Sequence, residues 1–170
     1  TNPGITIQGP KKLKPLGTIN LSNMPDGAMT LAVVVAFAKG KSKFTGLTTL
    51  RLKETDRLKA LSAELSKIGC DCQETKDGLI INGNPQKLHG SSILTYDDHR
   101  MAMCFSILGL KVPGLAIKNP ACVKKTFPNF FQKLATPPPH GLGATILDVA
   151  TRRPLRVEEL SAEAAESLNR

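Results

Sequence analysis

The same pattern occurs twice in this chain, and its two copies are 72 residues apart. In the first copy Asp26 precedes an apolar run of helix length, and Lys53 follows that run. Asp98 and Lys125 stand at the equivalent positions of the second copy. A duplicated βα unit produces this pattern, so we expect two carboxylates and two ammonium groups to converge on one anionic, proton-transferring site. If the acids only capped their helices, the paired lysines would be unexplained.

Hydrophobic periodicity and turn residues predict the element order β-α-β-α-β-β-β-α-β-α, which is typical of a mixed α/β fold with a partly antiparallel sheet. The Asp77-Gly78 turn of a predicted hairpin is expected to need a positive φ. Strands are predicted at residues 5–9, 18–21, 43–47, 71–74, 79–82, 92–95 and 115–118. Helices are predicted at residues 23–39, 54–68, 101–110 and 126–134, and an extended connection at 49–53.

Two of these helices differ in polarity. The first is apolar nearly all round, so we expect it to be buried. The second is amphipathic and is expected to pack on a sheet. Its predicted buried residues are Leu58, Leu61, Leu65 and Ile68, and its predicted outward residues are Arg57, Lys59, Glu64 and Lys67.

The chain is basic, with 23 Lys and Arg against 14 Asp and Glu and a formal charge of +9. This excess favours anionic partners such as phosphates, carboxylates, nucleic acid or acidic lipid. Nucleic acid is disfavoured because Tyr96 is the single tyrosine, tryptophan is absent and the lysines are scattered. A solvated basic face remains the alternative for most individual lysines.

The spacing of the four cysteines, Cys70, Cys72, Cys104 and Cys122, matches no common zinc or redox signature. We expect them to be reduced core or strand residues, and we expect neither a metal nor a redox cofactor. No apolar run reaches the ~18 residues of a membrane span. The sequence thus predicts a cytoplasmic protein, or one of a plastid stroma if a transit peptide has been lost, and no membrane partner.

Charged residues cluster at three predicted helix starts. Lys53, Glu54, Asp56 and Arg57 lie together in LKETDRL, where Glu54 and Arg57 share one helix face. A first-turn arginine is unfavourable at the positive end of the helix dipole, so a carboxylate or an anionic ligand should compensate it. An exposed charged first turn is the alternative.

The other two clusters repeat this arrangement. His99 and Arg100 open the third helix after Asp97-Asp98, and Lys124-Lys125 precede the fourth. Arginine at a helix start binds carboxylate or phosphate bidentately, with free backbone N–H groups assisting. Arg57, Arg100 and Lys125 together would suit a doubly anionic small molecule.

Four motifs, PDGAMT, LKETDRL, YDDHRMAM and KKTFP, occur in this order. Together they closely resemble the C-terminal half of the 5-enolpyruvylshikimate-3-phosphate (EPSP) synthase family, also called 3-phosphoshikimate 1-carboxyvinyltransferase, over about residues 4–134. The resemblance implies a partial domain of an inside-out α/β barrel with βαβαββ repeats. It also implies transfer of the enolpyruvyl group of phosphoenolpyruvate to the 5-hydroxyl of shikimate 3-phosphate, with release of phosphate, in the shikimate pathway of aromatic amino-acid and chorismate biosynthesis.

The resemblance also implies residue roles. Asp26 would bind the shikimate hydroxyls and act as base, Glu54 would protonate the phosphoenolpyruvate methylene, and Lys53 would contact shikimate 3-phosphate. The family's usual Asn is replaced here by Thr49, and its usual Trp or Gln by Leu50. The cations implied to hold phosphoenolpyruvate are Arg57, Arg100 and Lys125, and His99 lies beside them. The implied catalytic residues are Asp26, Glu54 and Lys125.

We predict that residues 1–135 are the C-terminal portion of an enolpyruvyl transferase domain and that residues 136–170 are a Pro-rich linker and extension. A weak strand near Ile146 and a helix with Val157, Leu160, Ala164 and Leu168 are predicted in that extension. The family's N-terminal half is missing, so the isolated fragment is expected to be inactive. The alternatives are a UDP-N-acetylglucosamine enolpyruvyl transferase and a non-catalytic basic module.

Overall fold

The computed structural model describes residues 4, 6 and 8–167, and the predicted strand at 5–9 lies largely outside them. The strands are β1 (Gly17–Asn20), β2 (Gly40–Thr45), β3 (Asp71–Thr75), β4 (Gly78–Gly83), β5 (Ser92–Ile93) and β6 (Ala116–Ile117). The α-helices are α1 (Gly27–Val35), α2 (Arg57–Lys67), α3 (His99–Gly109), α4 (Phe130–Ala135) and α5 (Ala162–Ser167). Three 3₁₀ helices span Thr48–Leu52, Pro120–Lys125 and Val157–Leu160.

The main sheet has the strand order β1-β2-β4-β3. β1 and β2 are parallel, with Gly17 opposite Ser42, whereas β4 is antiparallel to both β2 and β3. The second sheet consists of the parallel pair β5 and β6. The predicted mixed α/β order with a partly antiparallel sheet is therefore confirmed.

The two copies of the sequence repeat have the same structure. Each begins with parallel strands joined through a helix, β1-α1-β2 or β5-α3-β6, and continues through a 3₁₀ helix into another α-helix. The 3₁₀ helices Thr48–Leu52 and Pro120–Lys125 are 72 residues apart, as are the acids. The predicted duplication is thus confirmed, and the first copy forms a complete βαβαββ unit.

Three local predictions are wrong. Residues 49–52 belong to a 3₁₀ helix instead of an extended connection, because the tight turn buries Leu47 and Leu50 completely, and only Lys53 is extended as predicted. The fourth helix begins at Phe130 rather than at 126, after the second 3₁₀ helix. Among the described residues with positive φ, neither Asp77 nor Gly78 is found, although the hairpin itself forms as predicted.

The main core lies between the helices and one face of the larger sheet. Phe44, Leu79 and Ile81 point inward and are fully buried, whereas Lys41 and Lys43 on the other face are exposed. Helix α1 contributes Ala28, Met29, Ala32, Val33 and Val35 to this core and packs on α3. Burial of the apolar α1 is therefore confirmed.

Two side chains of α2 contradict the predicted outward face. Arg57 and Glu64 are each only 1% exposed, whereas Lys59 is exposed. Both buried side chains are ionic and have several hydrogen-bonding partners, which is the condition under which proteins tolerate buried charge. Periodicity could not reveal most of those partners, because all of them except Lys67 lie outside α2.

The segment after residue 135 folds back onto the domain. Leu160 and Ala162 are buried in a second apolar cluster with Val123, Phe130 and Phe131. The predicted continuous helix is interrupted at Ser161, whose backbone is extended, and Leu168 lies outside the described residues. Near Ile146 there is only an isolated bridge, between Leu147 and Pro154.

The cysteines agree with their prediction as reduced core or strand residues. Cys70, Cys72 and Cys104 are buried, Cys122 is half-buried, and all four are free thiols. Burial raises the pKa of the Cys72 thiol to about 12, so this thiol is not a nucleophile at neutral pH. Within the described part of the chain, no helix is long and apolar enough to cross a membrane.

Candidate active site

A polar hollow of about 200 Å³ opens where the helix starts of the two repeats meet. Its lining consists of Asp26, Lys53, Glu54, Arg57, His99, Arg100, Lys125 and Thr126. The structure therefore brings together all but one of the site residues predicted from the sequence. The exception is Thr49, which is exposed on the first 3₁₀ helix and does not line the hollow.

Arg57 is the centre of this site. Its Nη1 donates to Asp26 Oδ1 and its Nη2 to Glu54 Oε2, each at 2.8 Å. Its Nε and Nη2 donate to the two oxygens of Asp98 at 2.7 and 3.2 Å. Four of the five guanidinium N–H groups are therefore engaged. One buried cation thus fixes the relative positions of three carboxylates.

The sequence repeat predicted that Asp98 would converge with Asp26 on the site, but it assigned no role to Asp98. Its side chain is fully buried, and Oδ1 also accepts a hydrogen bond from the backbone N–H of Arg100, which caps α3. Asp98 thus fixes both the start of α3 and the guanidinium of Arg57. The repeat was the available signal, because it placed Asp98 at the position equivalent to a predicted base.

Asp26 has no capping hydrogen bond to α1. Its carboxylate instead bridges two arginines, with Oδ1 bound to Arg57 and Oδ2 at 3.1 Å from Nη2 of Arg100. The side chain is 39% exposed, so it faces the hollow and remains accessible. The capping alternative therefore holds for Asp98 but not for Asp26.

Glu54 pairs with Lys125 from the other repeat as well as with Arg57. The Lys125 ammonium donates to Oε1, while Arg57 binds Oε2. The hydrogen bond from Lys125 is the largest of the influences that lower the pKa of Glu54 to about 2. Glu54 is thus ionised near neutral pH while this ion pair is intact.

His99 lies at the base of the hollow and is 3% exposed. Its Nδ1 is buried without a hydrogen-bond partner in the described structure, 3.8 Å from Glu54 Oε1 and 4.0 Å from Asp98 Oδ1. Burial lowers the pKa of His99 despite these neighbouring carboxylates. A buried polar atom without a partner is costly, so Nδ1 is available to a polar group that enters the hollow.

The lining carries four cations against two carboxylates, which gives an excess of positive charge that favours an anionic ligand. Its volume is smaller than the ~300–1,000 Å³ typical of small-molecule pockets. The described residues contain no group of three or more His, Cys, Asp or Glu side chains placed to hold a metal ion. The site therefore offers paired acids, fixed cations and one neutral imidazole.

Residues 2–134 match the family model described as EPSP synthase (3-phosphoshikimate 1-carboxyvinyltransferase). The chain belongs to the EPSP synthase family. A relative from Vibrio vulnificus (strain YJ016), named 3-phosphoshikimate 1-carboxyvinyltransferase, is 45% identical over 118 residues, which cover 69% of this chain and 27% of the relative. A relative of the same name from Hamiltonella defensa is 46% identical over 126 residues, covering 74% of this chain and 29% of that relative.

Solved structures support the same assignment. The 2.37 Å structure of EPSP synthase from Acinetobacter baumannii aligns with a TM-score of 0.65 and 33% sequence identity, covering 73% of this chain and 30% of that one. The chain has the inside-out α/β fold of this family as a partial domain. It spans less than a third of the length of these EPSP synthase relatives.

Proposed function

We propose that this chain supplies one side of an active site that transfers the enolpyruvyl group of phosphoenolpyruvate to the 5-hydroxyl of shikimate 3-phosphate, with release of phosphate. The observation that carries the proposal is the shared guanidinium of Arg57. It holds Asp26 and Glu54 in one hollow with Arg100 and Lys125. The reaction needs two proton-transfer groups and fixed cations, and this hollow contains both.

The chemistry assigns the carboxylates opposite tasks. Glu54 gives a proton to the methylene carbon of phosphoenolpyruvate while the 5-hydroxyl oxygen forms a bond to the central carbon and loses its proton to Asp26. The C–O bond to phosphate then breaks in the resulting intermediate, and the Glu54 carboxylate takes a proton back from the new methyl group as the double bond re-forms. The proton that Asp26 gained leaves with the phosphate. Arg100 and Lys125 bind the carboxylate and phosphate of phosphoenolpyruvate and stabilise the departing phosphate.

The ion pair between Glu54 and Lys125 explains how a carboxyl group with a low pKa can become a proton donor when substrate binds. In the free site, Lys125 holds the pKa of Glu54 at about 2, which is too low for an efficient proton donor. An arriving phosphate competes for the Lys125 ammonium, which is 59% exposed and therefore accessible. Glu54 loses its strongest pKa-lowering partner at that moment, so its pKa rises and it can carry a proton to the substrate.

The small volume of the hollow fits a site completed by another part of the enzyme. The chain spans 27% of the Vibrio vulnificus relative, and we infer that a part of the enzyme corresponding to the rest of that relative supplies the remaining contacts to shikimate 3-phosphate. Lys53 is exposed at the rim of the hollow, where it can reach that second substrate. The cytoplasm, or a plastid stroma, remains the predicted location of this activity.

A chimaera tests the proposed function directly. Residues 4–134 would replace the equivalent portion of a complete relative, such as the Vibrio vulnificus enzyme, and phosphate release would be measured with both substrates. We expect activity in the chimaera and a loss of about 10²–10⁴-fold in kcat for Glu54→Gln and for Asp26→Asn, because each variant removes one proton-transfer group.

Lys59→Met is the matched control, since Lys59 is exposed on the same helix and does not line the hollow. It should retain the activity of the parent chimaera. A folded chimaera in which Glu54→Gln and Asp26→Asn both turn over at the parent rate would contradict the proposal. Replacement of shikimate 3-phosphate by UDP-N-acetylglucosamine should give no phosphate release, because the matching family acts on the shikimate substrate.

A further inference from the structure

A second buried carboxylate lies behind residues 94–97, the loop that leads into α3, and takes no part in the proposed chemistry. Glu64 of α2 is 1% exposed. Its Oε1 accepts a hydrogen bond from the Tyr96 hydroxyl at 2.9 Å, and its Oε2 accepts one from the Leu94 backbone N–H at 3.1 Å. Lys67 neutralises it from 2.6 Å and also donates to the Ser92 carbonyl. Glu64 is thus bound mainly to the segment that leads into α3.

That segment has an unusual backbone. Tyr96 and Asp97 are consecutive residues with φ values of 54° and 56°. The left-handed region is uncommon for residues other than glycine and especially so for a bulky residue such as tyrosine. Asn119 donates to the Asp97 carboxylate at 3.0 Å. A strained pair of this kind persists only where surrounding contacts determine it, and Glu64 supplies two of those contacts.

The same helix also holds the other end of the loop. Arg57 lies seven residues before Glu64, which is about two turns of an α-helix and places both side chains near one face. Arg57 binds Asp98, and Glu64 binds Leu94 and Tyr96. Helix α2 therefore fixes the loop at two points, one on each side of the strained residues.

We propose that Glu64 is a positioning residue that holds residues 94–97 in the conformation that presents Asp98, His99 and Arg100 to the hollow. The chemistry of Glu64 suits this task. An ionised carboxylate binds hydrogen-bond donors about twice as strongly as a neutral acceptor does, and its burial excludes competing water. Any effect of Glu64 on catalysis rests on the proposed function. Its effect on the conformation of residues 94–97 does not.

The state of Tyr96 is consistent with this role. Burial and the neighbouring Glu64 carboxylate raise the pKa of Tyr96 to about 12. The phenol therefore keeps its proton over the working pH range and donates it to Glu64. Tyr96 is partly exposed as a residue, so replacement of its hydroxyl changes this hydrogen bond without leaving a cavity in the core.

The test uses the 170-residue chain and compares Tyr96→Phe, Glu64→Ala and the double variant by NMR. One readout is the pKa of His99. Movement of the loop would change the distances from this ring to its charged neighbours, which are Glu54, Asp98, Arg57 and Arg100. The other is amide exchange of Leu94 and of residues 97–100. Exchange in Tyr96→Phe should be roughly tenfold faster, as expected for one lost hydrogen bond to a charged group.

Glu64→Ala removes both loop contacts, so its effect should be larger, and the pKa of His99 should rise towards its ordinary value as water reaches the ring. Tyr96→Phe should add nothing in the Glu64→Ala background, because the partner of the hydroxyl is already gone. Leu79→Ala is the control for stability alone. Leu79 is fully buried in β4 and does not line the hollow, so this variant should lower the melting temperature but leave the His99 titration unchanged.

Unchanged His99 titration and loop exchange in Tyr96→Phe and Glu64→Ala, accompanied only by a lower melting temperature, would overturn the proposal. If Glu64→Ala does not fold, the comparison of Tyr96→Phe with Leu79→Ala still tests whether the hydrogen bond to Glu64 positions the loop. The activity of the parent chimaera separates the two proposals. Altered loop signals in the variants, together with a folded parent chimaera that releases no phosphate, would support Glu64 as a positioning residue and count against the proposed function.

Discussion

Arg57 is buried at the end of a helix where a cation is electrostatically unfavourable. The sequence predicted that an anionic group must compensate it, and the structure supplies Glu54, Asp26 and Asp98. Asp56, the other acid of the motif, instead caps α2 and binds Arg51. Only one of the three partners of Arg57 is therefore its neighbour in the sequence.

Replacing Arg57 by methionine should destabilise the chain by about 3–5 kcal/mol, because the fully buried Asp98 is left without its counter-ion. Arg57→Lys should recover only part of this loss, since an ammonium cannot make the bidentate contact. Urea denaturation monitored by circular dichroism measures both effects. Lys59→Met on the same helix should leave the unfolding midpoint nearly unchanged, and an equal loss in that control would argue against a special role for Arg57.

The ion pair between Glu54 and Lys125 predicts a defined pH dependence. The pKa of Glu54 is about 2 in the folded chain against a reference of 4.5, so its ionised form stabilises the fold. This contribution is complete above pH 4.5 and is lost as the pH falls towards 2. Lys125→Met should therefore reduce stability most at neutral pH, and its difference from the unmodified chain should vanish near pH 2.

Carboxyl ¹³C NMR measures the pKa of Glu54 directly. In Lys125→Met the pKa of Glu54 should rise towards its ordinary value. Lys124→Met is a close control, because Lys124 pairs with Glu166 rather than with Glu54. A Glu54 pKa that is equally high in both variants, or unchanged in Lys125→Met, would contradict the pairing.

Among the elements, the two equivalent 3₁₀ helices have the clearest effect on the site. Each follows the second strand of its repeat and delivers the next charged group to the hollow, Lys53 and Glu54 in the first copy and Lys125 in the second. The second 3₁₀ helix is covered by the C-terminal segment, where Ala162 donates to the Pro128 carbonyl and Lys124 pairs with Glu166. The extension therefore contacts an element that carries a site residue.

Leu160→Ala should test whether the C-terminal segment stabilises the domain. Leu160 is 6% exposed within the second apolar cluster, and truncation of such a leucine costs about 2–5 kcal/mol through lost burial and the remaining cavity. Differential scanning calorimetry measures the change. Val149→Ala in the same segment is the control, because Val149 is 60% exposed; similar melting temperatures for both variants would show that the segment does not dock.

At the scale of the whole molecule, we propose that this chain supplies one portion of a larger active site. Its hollow is open and small, and the chain spans less than a third of the relatives it matches. Enzymatic catalysis in general requires substrates to be held in the reacting geometry, and loss of positioning alone removes many orders of magnitude in rate. The cations of this chain can attract an anion without completing that geometry.

We therefore expect the 170 residues alone to release no phosphate from phosphoenolpyruvate and shikimate 3-phosphate at a measurable steady-state rate. A continuous phosphate assay gives the result, with a complete relative added at the end to verify that the substrates are active. Turnover by the isolated chain at a rate near that of the complete relative would contradict this expectation and show that these residues form a complete site.

Regular elements were predictable where local sequence specifies them. The β3–β4 hairpin and the buried α1 follow from alternation and from an apolar run, respectively. The 3₁₀ helix at Thr48–Leu52 was missed because its conformation depends on burying Leu47 and Leu50 against the rest of the core. The start of α4 was misplaced for a similar reason, since residues 126–129 are occupied by the exit from the preceding 3₁₀ helix.

The order of elements, the duplication and the residue types of the site can be read from the chain, because periodicity, turn chemistry and charged motifs are local properties. The pairing of those residues cannot. The contacts from Arg57 to Asp26 and Asp98 join residues 31 and 41 positions apart, and the burial of Glu64 depends on a hydroxyl 32 positions away. Such charges become favourable inside the protein only when the packed helices bring their partners within hydrogen-bonding distance.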